Sequence, residues 1–250
     1  MNRPTYQRMA DDLRRQIIDG NLPPHARVPS RAQLARQYAV SDRVAVEAVR
    51  VLTAEGFVEG RPGSGTYVRE RPLVRRLRRG TKLDLVGRSP FGPDLAAAGR
   101  TGTWRASSTT TVASLSLAGR LAIEPGVEVV RTDYVHLDDG EPAMLTASWE
   151  PVEIIGGTDV AYPEEGPFGG CGVVERMAAI GITVTTITEH VTARPVLDDE
   201  AQLLEVPRGA IVIVVQRTHV AAERPVETAD VVVAAGRYEL CYEFAAEVPQ

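Results

Sequence analysis

The chain has 250 residues, 28 Lys and Arg against 33 Asp and Glu, a net charge of −5 and 44% hydrophobic residues. These figures exclude disorder over most of the length and, taken at face value, speak against nucleic acid. The average hides a split, however. Through Arg79 there are 16 basic and 8 acidic side chains, a net of +8, whereas residues 80–250 hold 12 basic and 25 acidic, a net of −13. Such asymmetry predicts two units with different partners, the basic one facing something anionic. The start, MNRPTYQRMADDLRRQ, has no apolar signal core, and no run approaches the ~18 apolar residues of a membrane span, so a cytoplasmic protein with no membrane partner is expected. Cys171 and Cys241, the only thiols, lack any CxxC or Cys/His spacing, and no metal or cofactor motif is present; neither a metal nor a cofactor is expected.

Over residues 6–18, Tyr6, Met9, Ala10, Leu13 and Ile17 recur at steps of three and four, which predicts an amphipathic helix capped by Thr5 and ended by Gly20, Pro23 and Pro24. Ser30 can cap a short second helix carrying Leu34, Ala35 and Tyr38. After a break at Ala39 and Val40, Ser41 can cap a third over residues 42–55. Its Val44, Ala45, Ala48, Val49 and Leu52 bury one face, while Arg43, Glu47 and Arg50 lie toward others. Two β-prone runs, 57–59 and 66–68, flank a glycine-rich stretch and predict a hairpin. A winged helix-turn-helix over residues 1–70 follows, its third helix suited to the major groove. Its tip, with Gly63, Ser64 and Gly65 behind Arg61, is slim enough for a minor groove.

Leu13, Ile17-Ile18-Asp19-Gly20, Val28-Pro29-Ser30, Leu34-Ala35, Val40-Ser41, Ala48-Val49-Arg50-Val51-Leu52, Glu55-Gly56 and Gly63-Ser64-Gly65-Thr66-Tyr67-Val68 together resemble the DNA-binding domain of the GntR family of bacterial transcriptional regulators. The departures fall where that family reads DNA. Its Ser-Glu-Arg is Ser30-Arg31-Ala32 here, its arginine after the capping serine is Asp42, and its Thr-Val-Arg is Val44-Ala45-Val46. An operator unlike the family's commoner ones is therefore expected.

Arg43, in the first turn of the third helix, is expected to read a base edge, and Ser41 to reach a phosphate as well as its own cap. Arg31 is placed for backbone phosphate together with the first amides of its helix. Arg50 either contacts DNA or pairs with Glu47 or Asp42. Asp42 either accepts from a cytosine amine or holds Arg43.

Residues 71–85 read as an Arg-rich linker in which Arg75, Arg76, Arg78 and Arg79 are either solvated or add phosphate contacts. In the acidic unit, residues 86–250, a Ser/Thr-rich run at 104–112 precedes a helix at 113–121 and strands at 127–137 and 143–149 joined by a turn at Asp138, Asp139 and Gly140. Further on come a helix at 173–180, a strand at 183–193, a short helix at 198–204, strands at 211–220 and 226–234, and a last strand at 238–244. Hairpins interrupted by helices, without βαβ periodicity, predict an antiparallel α+β domain.

Arg120-Leu121 with Pro125-Gly126, Val130-Arg131, Asp139-Gly140-Glu141-Pro142, Trp149-Glu150-Pro151, Gly181-Ile182, Val206-Pro207-Arg208-Gly209, Pro225-Val226-Glu227 and Arg237-Tyr238 resemble, in order, the UTRA domain of the GntR branch named after the histidine-utilisation repressor. The resemblance implies a fold similar to chorismate lyase without its activity, and a site for a small effector that changes operator affinity. Carried over by position, the arginines of sugar-phosphate sensors fall at Tyr134 and His136 and their acidic residue at Thr146. Thr132, Tyr134 and His136 would share a face with Thr146 and Ser148 opposite. A face without a fixed cationic fork predicts a weakly polar ligand that is not a sugar phosphate. The candidate effector contacts are Tyr134, His136, Thr146, Ser148, Glu227, Asp230 and Tyr238, although Glu227 and Asp230 fall on opposite faces of one strand. His136 also reads as an exposed turn residue. The amides around Phe168-Gly169-Gly170-Cys171-Gly172 could form an anion nest.

The expectation is thus a homodimeric, effector-responsive regulator, most simply a repressor, on a near-palindromic double-stranded operator. Two alternatives stand beside it: a second domain that only dimerises, and a chorismate-lyase-like enzyme fused to a DNA-binding domain. The enzyme is disfavoured because no Ser/His/Asp grouping commits to chemistry.

Overall fold

The computed structural model describes residues 4–70, 75–79 and 99–243. The chain divides into two units, Met1–Leu73 and Val74–Gln250.

The first unit holds α1 (Thr5–Ile18), α2 (Arg31–Gln37), α3 (Asp42–Ala54), β1 (Val58–Arg61) and β2 (Gly65–Val68). Met9, Ala10 and Leu13 of α1, Leu34 of α2, Ala45, Ala48 and Leu52 of α3, and Val58 and Val68 of the hairpin form one buried core. The apolar spacing predicted this core because side chains three and four apart share a helix face. Two predicted caps are corrected. α1 begins at Thr5 itself, with Pro4 in the cap position, where its carbonyl accepts from the Gln7 and Arg8 amides at 3.0 and 3.2 Å. Ser41 precedes α3, but its side chain makes no cap hydrogen bond; its carbonyl serves the Val44 and Ala45 amides instead. Ser30 does cap α2, in a reciprocal box with Gln33. Ala39, at φ 52°, breaks the chain between α2 and α3. Residues 26–28 run beside β2, with Val28 N–H donating to Thr66 O at 2.8 Å and Val68 N–H to Ala26 O at 2.9 Å.

The second unit is built on an antiparallel sheet in the order β4 (Gly102–Val112), β5 (Glu128–Asp138), β6 (Glu141–Pro151), β9 (Arg224–Ala234), β8 (Ile211–Ala221), β7 (Thr186–Pro195). The tight turns fall at Asp139 and Gly140 and at Ala222 and Glu223, all with positive φ, as two-residue hairpins with right-handed twist require. On one face, α4 (Leu115–Leu121) packs Leu117 and Leu121 against Val129 and Trp149, and Leu204, just past α7 (Asp198–Leu203), packs against Leu145, Val214 and Val232. Across the other face, Ile155 of α5 (Val152–Ile155) and Met177 of α6 (Val173–Ala179) cluster with Val130.

A second cluster lies on that same face. There β3 (Arg75–Arg79) pairs in parallel with β10 (Tyr238–Tyr242), and Leu77 and Tyr238 pack on Met144, Val215 and Val231. The arginine run expected as linker is therefore, at residues 75–79, a strand of the second unit. Its cations are matched by carboxylates: Arg75 with Asp138 at 2.7 Å, Arg76 with Glu239 at 2.8 Å, and Arg79 with Glu189. The alternation that leaves Leu77 inward also places Arg75 and Arg79 where those acids reach them. The remaining residues of the predicted linker lie outside the described part of the chain.

Candidate nucleic-acid interface and effector site

In the first unit, the outer side of α3 carries Asp42, Arg43, Val46 and Arg50, all exposed, with Ser41 at its start. Arg43 and Arg31 are exposed and make no ion pair among the described residues, although the Arg43 charge helps to lower the Glu47 carboxyl. Arg50 donates to Glu47 at 2.7 Å, which selects Glu47 over Asp42 as its partner, and this bond holds the Glu47 carboxyl below its ordinary range. Val46, 39% exposed, entered the sequence reading only as a departure from the family's arginine. It stands three after Arg43 and four before Arg50, a spacing that marks a shared helix face. An exposed aliphatic side chain there suits a thymine methyl. In the hairpin, β1 continues to Arg61 and β2 starts at Gly65, so the tip shrinks to Pro62, Gly63 and Ser64. Arg61 lies 4.6 Å over the Tyr67 ring and donates to Glu59 at 3.1 Å, while the Ser64 and Tyr67 hydroxyls lie 2.7 Å apart. Arg61 is thus braced along the wing, and the tip itself carries no charge.

In the second unit, register places Thr132 opposite Ser148 and Tyr134 opposite Thr146, as expected from alternation. Ser148 and Thr146 in turn face Ala229 and Val231 on β9. Between the two apolar clusters of this face lies a buried polar strip. Ser148 Oγ donates to one oxygen of Glu227 at 2.7 Å, and His219 Nδ1 stands 2.6 Å from the other. Burial works to raise the Glu227 carboxyl, but His219, Arg217 and Ser148 outweigh it and hold the group below its ordinary range. His136, expected near an exposed turn, is buried: two further residues of β5 follow it, and its ring stacks on Tyr134 with centroids 5.6 Å apart. Its Nε2 lies 3.3 Å from Thr146 Oγ1, and burial with the nearby Arg217 charge pushes its pKa down to about 3. Burial and the Glu164 carboxylate push the Tyr134 phenol up. Arg176 of α6 closes the strip by donating to both oxygens of Glu150 at 2.8 and 2.9 Å.

Tyr134, His136, Thr146, Ser148 and Glu227 are therefore brought together, and two predicted members are not. Asp230 is on the opposite face, held by Arg120 at 2.7 Å, where a separate cleft of about 310 Å3 runs past Arg131 and Trp149. This is the consequence of two residues an odd number apart on one strand. Tyr238 packs in the β3–β10 cluster and donates to Asp138 at 2.9 Å, so its hydroxyl is spent on structure. The supposed anion nest is also occupied. The amides of Gly169, Gly170 and Cys171 donate to Gly166, Pro163 and Phe168 carbonyls at 3.0 to 3.2 Å. Arg176, Arg217 and His219, absent from the sequence-derived site, share the strip. His219 and Arg217 could have been found from the pairing of residues 211–220 with 226–234, which sets them beside Glu227 and Ala229.

A winged helix on one unit and an antiparallel sheet with a buried polar strip on the other define the class, a two-domain DNA-binding regulator. Residues 5–68 match the family described as bacterial regulatory proteins of the gntR family, and residues 98–239 match the UTRA domain. The chain belongs to the GntR family of transcriptional regulators, in the branch that carries a UTRA domain. A crystal structure of a GntR-family transcriptional regulator is 51% identical, with 98% of this chain and 99% of that one covered and a TM-score of 0.84. The histidine utilization repressor of Pseudomonas putida is 25% identical over 95% of this chain and 90% of its own, and the transcriptional repressor NagR of Bacillus subtilis is 24% identical over 86% and 84%. The family is one of transcription regulators, not of enzymes. Among the described residues no helix is long and apolar enough to cross a membrane.

Proposed function

We propose that the chain is a homodimeric, effector-responsive repressor that binds a near-palindromic operator through residues 1–70 and senses a small molecule through residues 86–250. The observation that carries the DNA half is the outer face of α3, where Arg43 is exposed, makes no ion pair among the described residues and is flanked by Ser41, Asp42 and Val46. Arg43 reads a base edge, Ser41 and Arg31 hold phosphates, and the slim tip at Gly63 and Ser64, with Gly65 at the start of β2, follows a groove. Two copies on a two-fold axis would double these contacts over two half-sites. Repression is supported by the names of the Pseudomonas putida and Bacillus subtilis relatives. A gel-shift titration tests it: preference for the duplex upstream of the chain's own gene over random duplex is expected, and equal binding of both would sink the operator reading.

The effector half rests on the polar strip of the sheet. Its ligand is weakly polar, with hydroxyl or ring groups, because the arginines of that face already stand beside carboxylates: Arg176 with Glu150, and Arg217 opposite Glu189 and within electrostatic reach of Glu227. Tyr134 and His136 present a stacked ring pair, and Thr146 and Ser148 present hydroxyls. Thermal stabilisation by a panel of small metabolites is the assay. Tyr134→Ala should abolish the shift given by the strongest hit; an unchanged shift would remove Tyr134 from the site.

A further inference from the structure

The glycine at position 65 has a neighbour that a glycine-rich wing tip alone does not explain. It opens β2 at φ +120°, and a Cβ built on it would lie 3.0 Å from Nε and 3.3 Å from Nη2 of Arg27. The guanidinium of Arg27 therefore rests on the bare backbone of the wing. Arg27 is fixed from both sides, since it bridges Tyr67 while the flanking Ala26 and Val28 are hydrogen-bonded to β2. Its side chain is exposed and has no ion pair among the described residues, unlike Arg61 with Glu59 or Arg50 with Glu47. A cleft of about 410 Å3 opens beside it, bounded by Arg31 at the start of α2, Val46 and Val49 of α3, and Thr66 of the wing. Among the described residues no carboxylate lines it.

Two uncompensated guanidinium groups facing one cleft, with no acid among its walls, form a receptor for an oxyanion that accepts hydrogen bonds from several sides. The cleft lies between the helix suited to the major groove and the wing. We infer that Arg27, together with Arg31, holds one backbone phosphate of duplex DNA, and that the glycine at position 65, already favoured by its φ of +120°, also leaves Arg27 its seat on the wing. The contact rests on the DNA-binding reading above. It adds affinity and register without reading sequence.

The test is fluorescence anisotropy of the full chain on two duplexes, one from upstream of its own gene and one random, across a salt series. Arg27→Ala should weaken both equally, by about fivefold, the size of one exposed ion pair, and should lower the salt slope by about 0.9. Arg27→Lys should keep most of the slope. Gly65→Ala should weaken binding too, and should cost less when added to Arg27→Ala than in the parent chain, because only its strain at φ +120° then remains. An unchanged slope in Arg27→Ala, against a steep slope in the parent chain, overturns the phosphate assignment. A loss from Gly65→Ala of equal size in both backgrounds assigns the glycine to turn strain and overturns its link to Arg27. A parent chain that binds neither duplex would instead refute the DNA-binding reading itself.

Discussion

Replacing Arg176 by Met isolates what the buried ion pair does. Arg176 and Glu150 are 2% and 1% exposed, and Arg176 also donates to Val160 O at 3.2 Å. Met keeps much of the side-chain length but leaves a carboxylate with no cation in the interior, a change that costs about 3–5 kcal/mol. For a domain of this size each kcal/mol moves Tm by about 2–4 °C, so a fall of about 6–20 °C is expected. Burial raises the Glu150 carboxyl even with Arg176 present, and without it the rise is larger. A raised carboxyl is tolerated while protonated: its stability is present below the ordinary glutamate range and lost as pH climbs through the folded value. The deficit of Arg176→Met should therefore be largest near neutrality and shrink on acidification. Glu150→Gln added to Arg176→Met should recover most of it. Both tryptophans, Trp104 and Trp149, lie in the second unit, so their emission during urea titration reports this unit alone. A loss below about 1 kcal/mol, a deficit that does not shrink in acid, or a double variant as weak as the single one would refute the reasoning.

Glu227, whose carboxyl is lowered in the fold, contributes stability above the ordinary glutamate pKa that is lost as pH falls through the folded value; Glu227→Gln should flatten that acid limb of the Trp-monitored stability curve. His136 stays neutral in the fold, so between its ordinary value and about 3 the unfolded chain binds the extra proton and stability falls with acid; His136→Gln should remove that slope, and NMR titration of the imidazole should show no protonation at pH 5. Arg43→Ala should reduce discrimination between operator and random duplex by about 1–3 kcal/mol, whereas Arg31→Ala should weaken both alike, as competition gel shifts would show. Asp138→Asn should loosen Arg75, Arg100 and Tyr238 together, because all three converge on one of its oxygens at 2.6 to 2.9 Å, and hydrogen exchange should rise first in β3 and β10.

The three helices of the first unit were legible because its apolar spacing is regular and its breaks fall at Gly20, Pro23, Pro24 and Ala39. Six strands and three helices of the second unit followed from alternation and turn residues in the same way. What escaped notice has physical causes. Residues 75–79 read as charge and hide one apolar side chain, Leu77, so a strand saturated with arginine looks like solvent-facing linker until its carboxylates are placed. The parallel partner of that strand lies 163 residues away, beyond any local pattern. The β5–β6 half of the polar strip was read from the hairpin at Asp139 and Gly140, which fixes register. Arg217, His219 and Arg176 were missed because their relevance depends on which strand sits beside β6, and order within a sheet is not a local property.

The β3–β10 pair also bears on synthesis. The segment just after the first unit finds its strand partner only among the last residues of the chain, 163 positions later. At about 5–20 residues per second, a ribosome takes roughly 8–30 s to cover that distance. Throughout that interval the winged head can already be folded, since its core draws on no residue beyond Val68. The arginines of β3 meanwhile wait without Tyr238 and Glu239. A nascent chain would thus expose a finished nucleic-acid-binding head followed by a loose cationic tail well before the second domain can close.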